Sequence, residues 1–227
     1  MAERYHPGVV IVSVVVLCRN AVPTLPRFLE TLGDLHRRTL PDFPELVFVD
    51  DASTDGTTRL LFHWGETAFL PVKVLGLDRP SGRGACLREA LALTSGDAVA
   101  VVSADEKNFP DKLRILLDAY VDTADVVLAD ASPRPLDRIS IALIGALAGL
   151  PIALRRPAAA GLSLWNADVL RRSLADGDGF ALAANMLARA RTAGATIRVT
   201  ENVRSEAPPL SPRLLDWIRA PANDVRP

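Results

Sequence analysis

Short runs rich in Val and Ile alternate, over roughly the first 130 residues, with longer stretches in which apolar positions recur every three or four residues. The short runs are typical of parallel strands buried on both faces, and the longer period is typical of the helices that connect them. The predicted strands are Val9–Cys18, Glu45–Asp50, Val72–Leu77, Ala98–Ser103 and Asp125–Ala129. The predicted helices are Leu25–His36, Asp55–Trp64, Gly84–Thr94 and Asp111–Val121. The pattern predicts an α/β fold with a mostly parallel, Rossmann-like sheet flanked by helices.

A second kind of apolar stretch follows this alternating region. Ile139–Leu154 contains almost no polar side chain and is flanked by Arg138 on one side and by Arg155 and Arg156 on the other. It is shorter than the roughly 20 residues that a membrane-spanning helix needs. Two interpretations remain open: a buried helix followed by a strand after Pro151, or a helix that lies in a lipid interface.

Composition narrows the class of protein. The 227 residues are 49% hydrophobic and 23% charged, with a formal net charge of −1. These values exclude a disordered acidic chain and a nucleic-acid binder that depends on bulk positive charge. Cys18 and Cys86 are too few for a disulfide framework or a tetrahedral thiolate site. We expect a single cytoplasmic domain without a targeting signal, a membrane span or a nucleic-acid partner.

The sharpest motif is the polar segment Val49–Thr57, at the carboxyl end of the second predicted strand. Ligands of open α/β sheets bind beyond the carboxyl ends of strands, where Asp50 or Asp51 could accept hydrogen bonds from a nucleobase or a ribose. Ser53 and Thr54 are expected to cap the next helix. The same residues also fit a turn and a helix cap without any ligand, so both interpretations stay open.

Two further segments lie at comparable positions. Leu17-Cys18-Arg19-Asn20 ends the first strand; there Asn20 would adopt a left-handed turn, Arg19 would face a ligand and Cys18 would pack in the core. Ser81–Arg88 opens a helix with two glycines and two arginines, Arg83 and Arg88. This composition suits an anion at a helix N-terminus, and equally a tight turn with solvated arginines.

The fourth strand ends in Ser103-Ala104-Asp105. A carboxylate at that position could hold one divalent cation that shares diphosphate oxygens with a nucleotide, or it could simply mark the start of a helix. Three separate strand ends thus place polar residues along one edge of the predicted sheet. Their convergence favours a functional site.

These segments resemble the motifs of family 2 glycosyltransferases with a GT-A fold, particularly the polyprenyl-phosphate mannosyltransferase-like branch. The resemblance runs over about residues 11–205, and Val49–Thr57 is similar to the nucleotide-binding segment of the family. Ser103 stands where the family usually has the first acid of an Asp-x-Asp motif, and Asp105 matches the last. In the second half, Arg156 stands where an Asp is common, and Ala129-Asp130-Ala131 replaces an expected Gly-Ser-Arg.

The resemblance implies one GT-A domain, with residues 1–130 as the half that binds the donor and 131–227 as the half that binds the acceptor. The implied reaction is inverting transfer of a hexosyl group from a UDP- or GDP-sugar to an acceptor such as a polyprenyl phosphate, on the inner face of a membrane. Asp105 would hold Mg²⁺ or Mn²⁺, and Asp178 would be the base for a hydroxyl acceptor. The implied donor contacts are Leu17, Cys18, Arg19, Asn20, Val49, Asp50, Asp51, Arg83, Arg88, Ser103, Ala104 and Arg204.

Two other functions stay open from the sequence. The substitutions at normally acidic family positions, Ala21, Ser103 and Arg156, also fit a catalytically silent GT-A domain that binds a nucleotide or a protein partner. A sugar nucleotidyltransferase uses a similar sheet, although no Gly-rich, Lys-containing loop follows the first strand here. The sequence predicts no particular oligomeric state.

Overall fold

A computed structural model of the chain describes residues 10–38, 45–68, 71–121, 124–132, 137–175 and 179–206. The described residues form one seven-stranded sheet with helices on both faces. The strands are β1 (Val12–Cys18), β2 (Glu45–Asp50), β3 (Val72–Gly76), β4 (Ala98–Ser103), β5 (Val126–Ser132), β6 (Leu162–Asn166) and β7 (Ile197–Glu206). The α/β architecture and the five predicted strands are confirmed, whereas β6 and β7 were not predicted at these positions.

The sheet has the strand order β3-β2-β1-β4-β6-β5-β7. All neighbouring pairs are parallel except those of β6, which runs antiparallel to both β4 and β5. In the centre, β1 pairs with β2 on one side and with β4 on the other. The carboxyl ends of these three strands therefore lie side by side, which is the edge where the sequence places its polar motifs.

The helices are α1 (Leu25–Arg38), α2 (Thr57–Thr67), α3 (Arg83–Leu93), α4 (Phe109–Val121), α5 (Asp137–Leu147), α6 (Ile152–Arg155), α7 (Ala167–Ser173) and α8 (Gly179–Thr192). A 3₁₀ turn at Pro157–Ala159 leads from α6 toward β6. The four predicted helices are confirmed as α1 to α4, with ends displaced by a few residues. Helix ends are less sharply encoded than helix interiors because fraying and capping decide them.

The core is divided into two layers by the sheet. Alternate residues of β1 point to opposite faces, so that Val14 and Val16 pack with α1 and α4, whereas Val15 and Leu17 pack with α3 and α8. Every residue of β1 is buried. Burial on both faces explains why the first strand reads as a continuous apolar run rather than as an alternating one.

Helix α5 is apolar on two sides but buried on only one. Ile141 and Ile144 are buried in the core layer that contains α8. Four large apolar side chains on α5 and α6 are exposed to solvent, with exposed fractions of 79%, 53%, 62% and 80% for Ile139, Leu143, Leu147 and Ile152. We call these four residues the apolar face. The interpretation of this stretch as a buried helix is therefore correct for only one of its sides.

The strand expected after Pro151 is absent. Residues 152–155 form the short helix α6, and the next strand begins only at Leu162. A short apolar run without polar punctuation fits either a strand or a helix, so periodicity could not decide between them. Among the residues described, no helix is both long and apolar enough to cross a bilayer.

Candidate functional site

The candidate site lies at the carboxyl edge of β2, β1 and β4. Cys18 is in register with Asp50, and Leu17 with Ser103. The loops that leave these strands therefore start next to one another. The predicted convergence of the three polar segments is present in the structure.

Asn20 joins the loop after β1 to the loop after β2. Its backbone has the predicted left-handed conformation, with φ of 48°. The backbone N–H of Asn20 donates to Ser53 Oγ at 2.8 Å, and Asn20 Oδ1 accepts from the backbone N–H of Thr54 at 3.0 Å. Asn tolerates this backbone region because its short polar side chain can bond locally. Asn20 thus fixes the shape of the loop that follows β1.

Ser53 and Thr54 do not cap helix α2. The helix begins at Thr57, and the preceding Gly56 has φ of 91°. Instead, the Asp55 carboxylate accepts from the Thr57 amide at 3.0 Å and from the Thr57 hydroxyl at 2.6 Å. The capping prediction was therefore wrong, because the hydroxyls of Ser53 and Thr54 contact neighbours in the loop region, among them Asp50 and Asn20.

Asp50 and Asp51 are adjacent, but their side chains make different contacts. The Asp50 side chain is fully buried and accepts hydrogen bonds from the hydroxyls of Ser53 and Thr58. Asp50 therefore shapes the segment, and a ligand could reach this position only through backbone atoms.

The Asp51 carboxylate braces two loops. Oδ1 accepts from the Ser81 amide at 2.6 Å, and the Gly82 amide lies 3.1 Å from Oδ2. Arg19 Nη1 donates to Oδ2 at 3.2 Å, with the Arg19 side chain 52% exposed and that of Asp51 8% exposed. Gly82 has φ of 85°, which favours glycine at this position. Asp51 thus holds Arg19 at the rim of the site and orients the start of α3.

Ser103, at the end of β4, accepts a hydrogen bond from an arginine at a position where the family usually has an acidic residue. Arg83 Nη1 donates to Ser103 Oγ at 3.0 Å. The first helical residue of α3 is thereby held next to the end of β4, and its guanidinium brings positive charge to the candidate site. Arg88 lies on the same helix and is exposed.

Asp105 and Glu106 follow β4 in a turn and face different surroundings. Asp105 is exposed, whereas Glu106 is only 5% exposed. Glu106 accepts from Lys112 Nζ at 2.5 Å and from Ser205 Oγ at 2.5 Å. Ser205 Oγ in turn accepts from the Gly161 amide at 3.0 Å. Sequence reasoning missed Glu106 and Ser205, because no local motif signals a contact between residues so far apart in the chain.

The remaining predicted contacts fall into three groups. The side chains of Leu17, Val49 and Ala104 are buried in the core, so only their backbones could touch a ligand. Cys18 is buried, and burial, followed by the nearby Asp50, Cys86 and Asp105, strongly raises the pKa of its thiol. The interpretation of Cys18 as a packed rather than reactive residue is supported.

Arg204 is exposed on β7, and Asp178 lies outside the described residues.

Asp105 could share a divalent cation with the phosphate oxygens of a substrate. Within the described ranges, no group of three or more His, Cys, Asp or Glu side chains is placed to hold a metal ion. Mg²⁺, however, commonly uses one or two carboxylates together with substrate phosphates and water. The residues present fit that arrangement, with Asp105 as the carboxylate.

The sequence profile described as "Glycosyl transferase family 2" matches residues 13–141, more than half of the chain. The chain belongs to glycosyl transferase family 2. The matched range contains Asn20, Asp51, Arg83 and Asp105, which are the residues that the structure brings to one edge. The resemblance found in the sequence is confirmed at the level of the family.

Curated relatives match a little more than half of this family 2 chain. It is 29% identical over 122 residues to an undecaprenyl-phosphate 4-deoxy-4-formamido-L-arabinose transferase of Klebsiella pneumoniae (strain 342), covering 54% of this chain and 37% of the relative. It is 29% identical over 133 residues to the succinoglycan biosynthesis protein ExoO of Rhizobium meliloti (strain 1021), covering 57% and 34%. The aligned region thus spans little more than a third of each relative.

Solved structures match the family 2 chain over nearly its whole length. The mannosyltransferase PcManGT of Pyrobaculum calidifontis, in complex with GDP-Man and Mn²⁺, superposes with a TM-score of 0.64 at 22% identity, covering 91% of this chain and 59% of that one. Glucosyl-3-phosphoglycerate synthase of Mycobacterium tuberculosis, in complex with Mn²⁺, UDP and glucosyl-3-phosphoglycerate, gives 0.63 at 21% identity, covering 96% and 82%. These similarities confirm the predicted GT-A fold.

Proposed function

We propose that the chain is an inverting glycosyltransferase that moves a hexosyl group from a nucleotide diphosphate sugar to a polyprenyl phosphate at a membrane surface. The observation that carries the donor side is the position of exposed Asp105 at the end of β4, beside the ends of β1 and β2, in a family 2 chain. Residues 1–130 would contribute most of the donor half and 131–227 the acceptor half.

The donor half would bind the nucleotide by its loops. Arg19, held by Asp51, lies at the rim of the site, and Asn20 fixes the loop on which Arg19 stands. Arg83 brings a guanidinium to the end of β4, where it would contact the diphosphate. Arg88 and Arg204 are exposed cations that would add to this field. Charge-assisted contacts of this kind stabilise the negative charge that grows on a leaving diphosphate.

Asp105 would hold Mg²⁺ or Mn²⁺ against the diphosphate. When bound, a divalent cation there supplies positive charge that stabilises the leaving nucleotide. The PcManGT and glucosyl-3-phosphoglycerate synthase complexes contain Mn²⁺, which supports a divalent cation in this fold. Attack by the acceptor on the face of the anomeric carbon opposite the diphosphate would invert its configuration.

The acceptor side rests on the apolar face and its charge. From Arg138 to Arg156 the chain has three arginines and no acidic residue, and four large apolar side chains are exposed there. An amphipathic surface with flanking cations binds anionic lipid by burying apolar area and by electrostatic attraction. The Klebsiella relative is named as an undecaprenyl-phosphate transferase, which supports a lipid acceptor. A phosphate is already ionised at neutral pH, so attack by it needs no strong base.

Substitution of Asp105 tests the donor side. Asp105→Ala should abolish metal-dependent donor hydrolysis and transfer while leaving the unfolding transition unchanged. Asp118→Ala removes another exposed carboxylate, on α4, and is the matched control. Turnover of UDP- or GDP-sugars by Asp105→Ala at the wild-type rate would refute the assigned role.

Flotation with liposomes tests the membrane side. The wild-type chain should float with vesicles that contain anionic lipid, and Leu143→Ser with Leu147→Ser should remove that association. Phe62→Ser, which changes an exposed apolar residue on α2, is the control. If the wild-type chain stays with the soluble fraction in both anionic and neutral vesicles, the acceptor is a soluble molecule.

A nucleotide-binding domain without turnover is a second candidate function. The observation in its favour is that Ser103 stands where the family usually has an acid, and its hydroxyl accepts a hydrogen bond from Arg83. Calorimetry separates the two functions. Nucleotide binding that is indifferent to Mg²⁺ and Mn²⁺, with no consumption of donor, would favour the silent domain.

A further inference from the structure

A second cationic site lies on the acceptor side, at the carboxyl end of β5. Arg156 Nε donates to Asp130 Oδ1 at 2.9 Å, and Nη2 donates to Oδ2 at 2.5 Å. The Asp130 side chain is 10% exposed, whereas that of Arg156 is 62% exposed. A buried carboxylate thus fixes the plane and direction of an exposed guanidinium.

The geometry of this pair leaves a binding edge open. A guanidinium has five N–H donors, and the two bonds to Asp130 use one edge of its plane. One hydrogen of Nη1 and the second hydrogen of Nη2 form the adjoining edge, and among the described residues they meet no acceptor. Two parallel N–H groups on one edge match the oxygens of a phosphate.

The surroundings add charge and place this site near the donor edge. Asp130 is in register with Arg204, so the backbones of the two residues are neighbours across β5 and β7. Arg204 is exposed, so a second arginine stands beside the Asp130 backbone. The residue after Arg204 is Ser205, which binds Glu106, the neighbour of Asp105. Contacts of β5 and β7 therefore connect the Arg156–Asp130 pair to the turn that carries Asp105.

The same segment also meets the apolar face. Ile152, which is 80% exposed, belongs to α6, and Arg156 directly follows that helix. A molecule with a phosphate and an apolar tail could place the phosphate on Arg156 and the tail along α6 and α5. A soluble phosphate monoester would use the arginine alone.

We propose that Arg156, oriented by Asp130, binds the phosphate monoester of the acceptor. This inference rests on the proposed function, because it names the group that receives the acceptor of that reaction. Arg156 is the binding residue, and Asp130 is a positioning residue that acts through it.

Binding to vesicles tests this site without relying on turnover. The probes are phosphatidylcholine vesicles with and without undecaprenyl phosphate, together with glycerol 3-phosphate as a soluble phosphate monoester. The lipid phosphate should increase binding of the wild-type chain, and Arg156→Gln should weaken that increment at least tenfold. Arg171→Gln removes another surface arginine that pairs with an acid, Asp168, and should bind as the wild type does.

Two further variants protect the test against simple misfolding. Arg156→Lys keeps a charge beside Asp130 but loses the two-pronged edge, so its affinity should be intermediate. The double variant Asp130→Asn with Arg156→Gln leaves no buried charge unpaired, so it should fold and still fail to bind the phosphate. A thermal unfolding curve for each variant shows that the fold is retained.

Each outcome decides one question. Equal binding by Arg156→Gln and wild type, or no increment from either phosphate, overturns the site. Binding of glycerol 3-phosphate alone, lost in Arg156→Gln, keeps the site and assigns it to a soluble acceptor. Phosphate binding that depends on Arg156, in a chain that consumes no nucleotide sugar, keeps the site and refutes the proposed transferase.

Discussion

Glu106 and Ser205 are 99 positions apart in the chain, yet Ser205 Oγ donates to the Glu106 carboxylate at 2.5 Å. Glu106 stands next to Asp105, and Ser205 stands next to Arg204, so this one contact ties the turn after β4 to β7. Lys112 Nζ completes the arrangement by neutralising the buried carboxylate. Residues that are far apart in the chain are thereby held in a fixed relation at the candidate site.

Glu106→Gln should weaken both the fold and the reaction. The amide cannot accept two charge-assisted bonds as well as a carboxylate does, and it leaves the partly buried Lys112 without its counter-charge, so we expect a loss of about 1–3 kcal/mol in the free energy of unfolding. Because Asp105 would lose its support, kcat should fall more than the donor KM rises. Urea unfolding and initial rates measure the two effects.

Glu89→Gln, on the exposed side of α3, is the control for Glu106→Gln and should change neither quantity. Ser205→Ala should reproduce the effect on kcat with a smaller loss of stability, since it removes no charge. A purely structural role for Glu106 would be shown by a lowered melting temperature with unchanged kcat in the folded enzyme.

Asp51→Asn should reduce nucleotide affinity by about tenfold, the equivalent of one charge-assisted hydrogen bond. The reason is that the side chain would no longer accept from the Ser81 and Gly82 amides and from Arg19 at once. Calorimetry with UDP and GDP measures the change. Asp78→Asn alters an exposed carboxylate close to the same loop and should leave affinity unchanged; equal affinity in Asp51→Asn would show that these contacts do not shape the nucleotide site.

Stability should fall at low pH because of Glu45. Burial alone would raise the pKa of this carboxyl, but hydrogen bonds from Lys73, Ser95 and Ser13, with the charge of Lys73, bring its pKa below the ordinary value of 4.5. A lowered pKa in the folded state adds stability above pH 4.5 that disappears as the pH falls through the lowered value. Urea unfolding between pH 6 and pH 3 would follow this loss.

The Glu45→Gln variant isolates that contribution. Its free energy of unfolding should vary less with pH below 4.5 than that of the wild type, because the titrating group is gone. Glu66→Gln, at an exposed position on α2, should keep the wild-type slope. Identical slopes for Glu45→Gln and wild type would mean that other carboxylates cause the acid sensitivity.

Gly96→Ala should destabilise the fold by about 1–3 kcal/mol, the usual cost of overpacking. A Cβ at this position would lie 2.7 Å from the Ser13 amide nitrogen and 2.8 Å from the Ile11 carbonyl oxygen, and backbone atoms cannot move aside cheaply. Gly33→Ala, in α1, meets nothing within 4 Å and should be stabilising instead. Thermal unfolding of both variants checks the prediction, and a Gly96→Ala chain as stable as wild type would contradict it.

Local chemistry made part of the site predictable. The left-handed Asn20 and the polar ends of β1, β2 and β4 follow from turn preferences and from the period of buried strands. The end of the apolar run was not predictable, because α6 and a strand have the same hydrophobic pattern there. The Glu106–Ser205 contact was also out of reach, since only the folded sheet brings those positions together.

Asp130 and Arg156 show the same limit in another way. In the sequence they are two separate departures from the family pattern, one after the fifth strand and one beyond the apolar stretch. In the structure they are the two partners of a single ion pair. The positive charge of Arg156 offsets the cost of burying the Asp130 carboxylate. This relation becomes visible only when the distance between the two side chains is known.

Strand β6 runs opposite to its neighbours, with Leu162 beside Val102 near the end of β4. The chain between α5 and β6 therefore reaches the carboxyl edge of β4, the same edge at which the polar segments after β1, β2 and β4 lie. That stretch is contiguous and is set apart from the segments that would hold the nucleotide. If this stretch binds the acceptor, as proposed, its replacement by another sequence would change the acceptor and leave the segments proposed for the nucleotide sugar in place.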